Sequence, residues 1–181
     1  PNRAQEILVI DQTPTHAPET VDQLELLKAA GQIRWIFQQP PSIPAAMNRG
    51  ALEARGELLL FLDDDIVPNA ALLESHMAAH GKRQGDLVAG RVLQPWHHDQ
   101  HDSESFTRTV GEFKEEFMGG NFSISRDMLM NLGGFDENFK GAAYRYEREF
   151  ADRLLEHGHT IWYEPSALIR HLHHSSGGTR S

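Results

Sequence analysis

Glu57-Leu-Leu-Leu-Phe-Leu62 runs directly into Asp63-Asp-Asp65. An unbroken apolar run of this length suits a parallel strand buried on both faces, where polar alternation is not needed. Leu58–Leu62 is also the longest apolar run in the chain and is far too short to cross a bilayer. Strands alternating with helices in the first half imply an α/β layer architecture with a mostly parallel sheet, and ligands in such sheets sit at the carboxyl ends of the strands, where these three carboxylates stand. A second strand, Glu6-Ile-Leu-Val-Ile10, ends the same way at Asp11. The two strands together place acidic groups on one ligand edge.

The rest of the chain supports alternating strands and helices in its first half. Gln12 to Pro18 is a loop broken by two prolines. Thr20–Ala30 has helical spacing at Val21, Leu24, Leu27 and Lys28 and stops at Gly31. Ile33–Phe37 is a strand, Gln38–Pro44 a loop, and Ala45–Arg55 a helix ending at Gly56. Asn69 is expected to cap a helix with Leu72, Leu73, His76, Met77 and His80 on one face, closed by Gly81. Asp86–Leu93 is a strand, and residues 94–116 are polar without a period. Ser125 is expected to cap a short helix through Leu132, followed by a turn at Gly133-Gly-Phe-Asp136. Tyr146–His157 is a helix with Phe150 and Leu154 inward and a Glu149–Arg153 pair at i,i+4. Thr160–Tyr163 and Ala167–Leu172 read as two final strands, and 175–181 as a flexible tail. No repeat or linker divides the chain. It is expected to be one domain, with residues 1–93 as the nucleotide-binding half and 94–181 as the acceptor and catalytic half.

Charge and composition exclude several functions. With 17 Lys+Arg against 26 Asp+Glu the net charge is −9, which argues against nucleic acid as a partner. The absence of Cys rules out a disulfide framework, a thiolate metal site and a Cys nucleophile. No basic-then-apolar leader is visible. The expected location is cytoplasmic, peripheral to a membrane at most.

The Asp63–Asp65 cluster is the sharpest chemical feature. Hard divalent cations prefer oxygen ligands and keep phosphate oxygens as co-ligands, so a strand-end carboxylate beside a diphosphate would meet their needs. Standing alone, the cluster is equally a solvated turn. His97-His-Asp-Gln-His101-Asp102 contains zinc-capable residues, but its polar setting favours a solvated loop. His171 and His173 alternate and would share one strand face, with His174 pointing away. Trp96, beside Pro95, could stack on a sugar but reads more simply as packing.

Asn48 to Pro68 closely resembles the core of the family 2 glycosyltransferases, which have the GT-A fold. Four further segments match in order: Glu6–Asp11, Gly119–Arg126 with Gly133–Glu137, Tyr146–Gly158, and Pro165–His171 with Gly177–Arg180. The resemblance covers nearly the whole chain. It implies a mostly parallel (mixed) sheet flanked by helices in a three-layer sandwich. It also implies inverting transfer of a sugar from a nucleotide-sugar donor to a carbohydrate or lipid-linked acceptor, with Mn²⁺ or Mg²⁺ as cofactor.

Carried over by position, Asp11, Asn48, Asp63 and Asp64 would contact the donor. Asp65 and His171 would hold the metal, and Gly120 and Asn121 would face the acceptor. Two departures stand out. The family opens its catalytic helix with Glu-Asp, whereas here Tyr146 stands at the Glu position and Glu147 at the Asp position. Glu147 is therefore the expected general base, kept ionised by the helix dipole, with Glu149 as second choice. The family also places a strand and a helix before the strand at Glu6. Their absence would leave the sheet edge beside Glu6–Ile10 unpaired and the nucleotide pocket incomplete.

Two other functions compete. A non-catalytic or truncated nucleotide-sugar-binding domain would share most of these residues. A metal-dependent phosphotransferase or nucleotidyltransferase would use the same Asp cluster, but no Gly-rich phosphate loop with Lys or Arg follows the first strand.

Overall fold

The computed structural model describes residues 6–97, 102–140 and 143–172. In chain order the elements are β1 (Leu8–Asp11), α1 (Pro18–Ala29), β2 (Arg34–Phe37), α2 (Ile43–Glu53), β3 (Leu58–Leu62), β4 (Ile66–Pro68), α3 (Leu72–Gly81), β5 (Leu87–Leu93), β6 (Glu112–Lys114), β7 (Asn121–Ser125), α4 (Arg126–Asn131), α5 (Tyr146–Glu156) and β8 (Ile161–His171). The expected His98, His101, His173 and His174, the Gly177–Arg180 segment and residues 141–142 lie outside the described residues.

β1 and β2 pair in parallel as a separate two-stranded sheet. A six-stranded mixed sheet has the order β3-β7-β5-β8-β4, with β6 also on β8. Within it β5 and β8 are parallel and the other pairs antiparallel. Among the described residues β1 pairs with β2, and β3 with β7. The Glu6 carboxylate holds the two sheets together at their entry. It accepts from the Arg55 and Gly56 backbone N–H groups at 2.5 and 3.1 Å and from Arg34 at 3.1 Å.

Strand alternation separates two apolar cores on the two faces of the main sheet. Leu59 and Phe61 of β3 join α2, α4 and α5 through Ala51, Leu129, Phe150 and Leu154. Leu60 joins α3 and the end of β8 through Leu72 and Ile169. This is the expected helix–sheet–helix layering. The first core is built from aromatic rings directly beneath the Asp63 end of β3. Phe61 stacks on Phe122 at 4.8 Å, Phe117 lies 4.6 Å from Phe122, and Phe135 lies 4.7 Å from Phe150 and 5.8 Å from Tyr146. Fully buried rings of this kind typically cost about 3–5 kcal/mol when truncated to Ala, so the floor of the site is rigid.

Several local expectations change. The last two strands are one strand, β8, which continues through Pro165. Its pairing with β5 slips between Gly90 and Arg91, where Gly90 faces Glu164 and Arg91 faces Leu168. The bulge absorbs the residues around the proline, which supplies no ladder N–H. Asn69 does not cap α3; its amide donates to the Ser166 carbonyl at 3.1 Å, and α3 starts after Ala71. On α3, Leu72, His76 and Ala79 are buried while Met77 is exposed. α1 buries no residue at all. β4, β6 and β7 are additional strands. Ser125 does cap α4, accepting from the Met128 N–H at 3.1 Å. No helix among the described residues is long and apolar enough to cross a membrane.

Candidate functional site

β3 is antiparallel to β7 and its end is exposed at Leu62, not the parallel strand buried on both faces that its apolar run suggests; the turn Asp63–Asp65 leaves that end and returns as β4. β4 lies antiparallel to β8 with Ile66 opposite His171, and the Leu172 N–H donates to the Asp65 carbonyl at 2.7 Å. This register brings the last residue of β8 against the turn. His171 Nε2 lies 3.0 Å from Asp65 Oδ1 and 3.5 Å from Asp63 Oδ2. One ligand atom from each of Asp63, Asp65 and His171 falls within a 4.8 Å group. His171 Nδ1 is buried and has no hydrogen-bond partner. Two carboxylates and an imidazole form a donor set suited to Mn²⁺ or Mg²⁺ with open positions for phosphate oxygens, so these residues fit the implied metal. Asp64 is exposed on the same turn.

Crowding of charge leaves its mark on Asp63. Desolvation and the neighbouring charges of Asp65 and Asp64 hold its carboxyl above the ordinary range, although His171 opposes them. A cation at this point would relieve that repulsion.

Gly119-Gly120 forms the adjoining wall. The Gly120 carbonyl accepts from the Asp63 N–H at 3.3 Å. A Cβ on Gly120 would lie 2.1 Å from Asp63 Oδ2, and a Cβ on Gly119 would lie 2.0 Å from the Tyr146 hydroxyl and 3.0 Å from Glu147 Oε1. The two glycines therefore let the acidic turn and the start of α5 close on the same backbone. The N–H groups of Gly119 and Glu147 and the Tyr146 hydroxyl stand beside the Glu147 carboxylate and favour its charged form. Burial, followed by the charge of Asp63, pushes the Glu147 carboxyl above the usual range despite these groups. This corrects the expectation of a carboxyl lowered by the helix dipole: desolvation outweighs one helix end. Such a group is a stronger base than an ordinary carboxylate.

The other expected site residues are engaged elsewhere. Glu149 is held by Arg153 through two bonds, at 2.9 and 2.7 Å, and Arg153 also caps the Leu132 and Gly134 carbonyls. Asn48 clamps the turn after α4, accepting from the Phe135 N–H at 2.8 Å and donating to the Phe135 carbonyl at 2.9 Å. Asn121 is fully buried. Its amide donates to the Arg91 and Ala167 carbonyls and its oxygen meets His76 Nε2 at 3.0 Å. Asp11 is buried and accepts from the Thr13 N–H at 2.9 Å, His16 at 2.6 Å and Trp35 Nε1 at 2.8 Å.

Behind Asn121 runs a polar chain that the residue pattern alone does not single out. His76 Nδ1 meets Ser123 Oγ at 2.8 Å and His80 Nε2 meets the same oxygen at 2.9 Å. Burial pushes the His76 imidazole down to about 4, so it stays neutral at pH 7. The i,i+4 histidines on α3 were the available signal. His97, in the loop considered for zinc, is buried and lies 3.2 Å from Glu104, while Trp96 is exposed against it.

A family model described as "Glycosyltransferase like family 2" matches residues 2–176. No curated protein matches the chain. Among solved structures, the fold is similar to that of GalNAc-T7 crystallised with UDP, GalNAc and Mn²⁺, a GT-A fold enzyme. That match has a TM-score of 0.74 at 16% identity and covers 96% of this chain but 38% of the other.

Proposed function

This chain belongs to glycosyltransferase-like family 2, and on that premise we propose that it transfers a sugar from a nucleotide-sugar donor to an acceptor hydroxyl with inversion. The observation that carries this reading is the convergence of Asp63, Asp65 and His171 with Glu147 on the Gly119-Gly120 backbone. The halves at 1–93 and 94–181 are read as the donor and acceptor sides.

Asp63, Asp65 and His171 would hold Mn²⁺ or Mg²⁺, with Asp64 near the ribose. Bound there, the metal would supply Lewis-acid stabilisation of the departing diphosphate. Mn²⁺ accompanies UDP in the GalNAc-T7 structure, which favours the same class of donor here. Glu147 takes the proton of the acceptor hydroxyl as that oxygen attacks the anomeric carbon and the bond to the diphosphate breaks. Burial raises its basicity above that of an ordinary carboxylate, as suits a general base. Asp11 is read as a contact to the nucleotide base and Gly120 as part of the acceptor wall. Asn48 and Asn121 serve indirectly, by fixing the 133–137 turn and the strand beyond Gly120. The acceptor is read as a carbohydrate or a lipid-linked acceptor.

The test is release of nucleoside diphosphate from a panel of UDP-, GDP- and dTDP-sugars, with Mn²⁺ and with EDTA. Metal-dependent release from one donor class supports the reading. Metal-dependent binding of nucleoside diphosphate without release from any donor would assign a non-catalytic binding domain instead.

A further inference from the structure

The start of α5 carries a residue whose chemistry the proposed reaction does not use. Tyr146 is only 5% exposed, and its ring packs against Phe135. A Phe would fill the same space. What Tyr adds is a hydroxyl, and a buried hydroxyl costs free energy unless it finds a partner. Here the hydroxyl and Glu147 Oε1 converge on Gly119, where even a methyl group would collide with the phenol. The charged group beside the hydroxyl at that point is the Glu147 carboxylate.

Building on the reading of Glu147 as base, we propose that Tyr146 is its positioning residue: the phenol donates a hydrogen bond that fixes the carboxylate against Gly119, facing the acidic turn. Several features support this role. Burial and the negative charges of Glu147 and Asp63 keep the phenol protonated, so it acts as a donor to the carboxylate. Tyr146 and Glu147 are consecutive at the first turn of α5, so one rigid element sets both side chains. The preceding residue, Arg145, has φ +72° and offers no side-chain cap, so the entry to the helix leaves this work to the side chains that follow. A carboxylate at position 146 would add a third negative charge beside Asp63 and Glu147. The phenol replaces that repulsion with a donated hydrogen bond.

The experiment compares Tyr146→Phe with the wild type by two readouts. The first is the ¹³Cδ resonance of Glu147 at constant pH, identified by its loss in Glu147→Gln; it needs no turnover. The second is the split between kcat and affinity, with UDP plus Mn²⁺ as the binding probe. The expected result is a displaced Glu147 resonance, the other glutamates unmoved, kcat down roughly tenfold as for loss of one hydrogen bond to a charged group, and unchanged UDP affinity. Should Tyr146→Phe fail to fold, 3-fluorotyrosine incorporation keeps the ring and hydroxyl and strengthens the donor, and the same resonance must move. An unmoved resonance in a folded variant overturns the proposal. Full transfer activity in Glu147→Gln overturns instead the reading on which the catalytic part rests, even where the resonance shows that the contact exists.

Discussion

His171 Nε2 stands 3.0 Å from Asp65 Oδ1, joining the last residue of β8 to the acidic turn after β3. The contact exists because β4 and β8 pair with Ile66 opposite His171. Mn²⁺ is expected to raise the melting temperature of the wild type. At a hundredfold excess over Kd the stabilisation is about 2.7 kcal/mol, and a domain of this size shifts by roughly 2–4 °C per kcal/mol. Asp65→Asn and His171→Ala should lose that shift. Asp63→Asn should lose it too, yet melt higher than the wild type without metal, because it removes a carboxylate held above its ordinary range by its neighbours. Equal Mn²⁺ shifts in all three variants would remove them from the metal site.

Gly120→Ala is expected to separate stability from metal response. Its Cβ would lie 2.1 Å from Asp63 Oδ2, the far end of a side chain that can swing away. The fold should hold while the displaced carboxylate lowers Mn²⁺ affinity, read by calorimetric titration. Unchanged affinity would show that the orientation of Asp63 does not matter.

Glu149 is expected to be structural. Its carboxylate is occupied by Arg153, which also holds two turn carbonyls. Arg153→Ala should destabilise by about 2 kcal/mol through the unpaired carbonyls it leaves, measured by urea unfolding. Glu149→Gln should keep transfer activity. Loss of turnover in Glu149→Gln with normal stability would move the base two residues along α5.

The Asp11 cluster gives a pH signature. Burial alone would raise this carboxyl, but the Thr13 N–H, His16 and Trp35 outweigh it and hold it below the usual value. A lowered folded-state pKa adds stability above the unfolded value, about 3.9 for Asp, and that stability is lost as pH falls through the folded value. Trp35→Phe removes one donor and should cost about 1 kcal/mol at pH 7. The difference from wild type should shrink as Asp11 protonates. A difference constant from pH 7 to pH 2 would show that the hydrogen bond to Asp11 is not its source.

Much of the site was legible in the residues. The apolar run of β3 places Asp63–Asp65, and the resemblance over 165–171 singles out His171. The Glu149–Arg153 pair follows from helical spacing alone. What stayed hidden depends on pairing between distant segments. Asn121 points into the core because it shares with Ser123 the face of β7 that His76 of α3 covers, which one sequence does not reveal. β8 runs through Pro165 because a bulge accommodates the proline. The Glu147 carboxyl is raised because Gly119-Gly120 and Asp63 close over it, and a helix start seen alone suggests the opposite sign.

Glu147 is the centre of the account, and Glu147→Gln tests it most directly when turnover and donor binding are measured on the same preparation. Loss of a general base typically lowers the rate about 10²–10⁴-fold. Mn²⁺-dependent transfer of the sugar to the acceptor, read as release of nucleoside diphosphate, is expected to fall by that order, with UDP affinity in the presence of Mn²⁺ unchanged. In the wild type the rate should fall as pH drops through a value above the ordinary glutamate range, because only the ionised carboxylate accepts the proton. Undiminished transfer by Glu147→Gln would contradict the account.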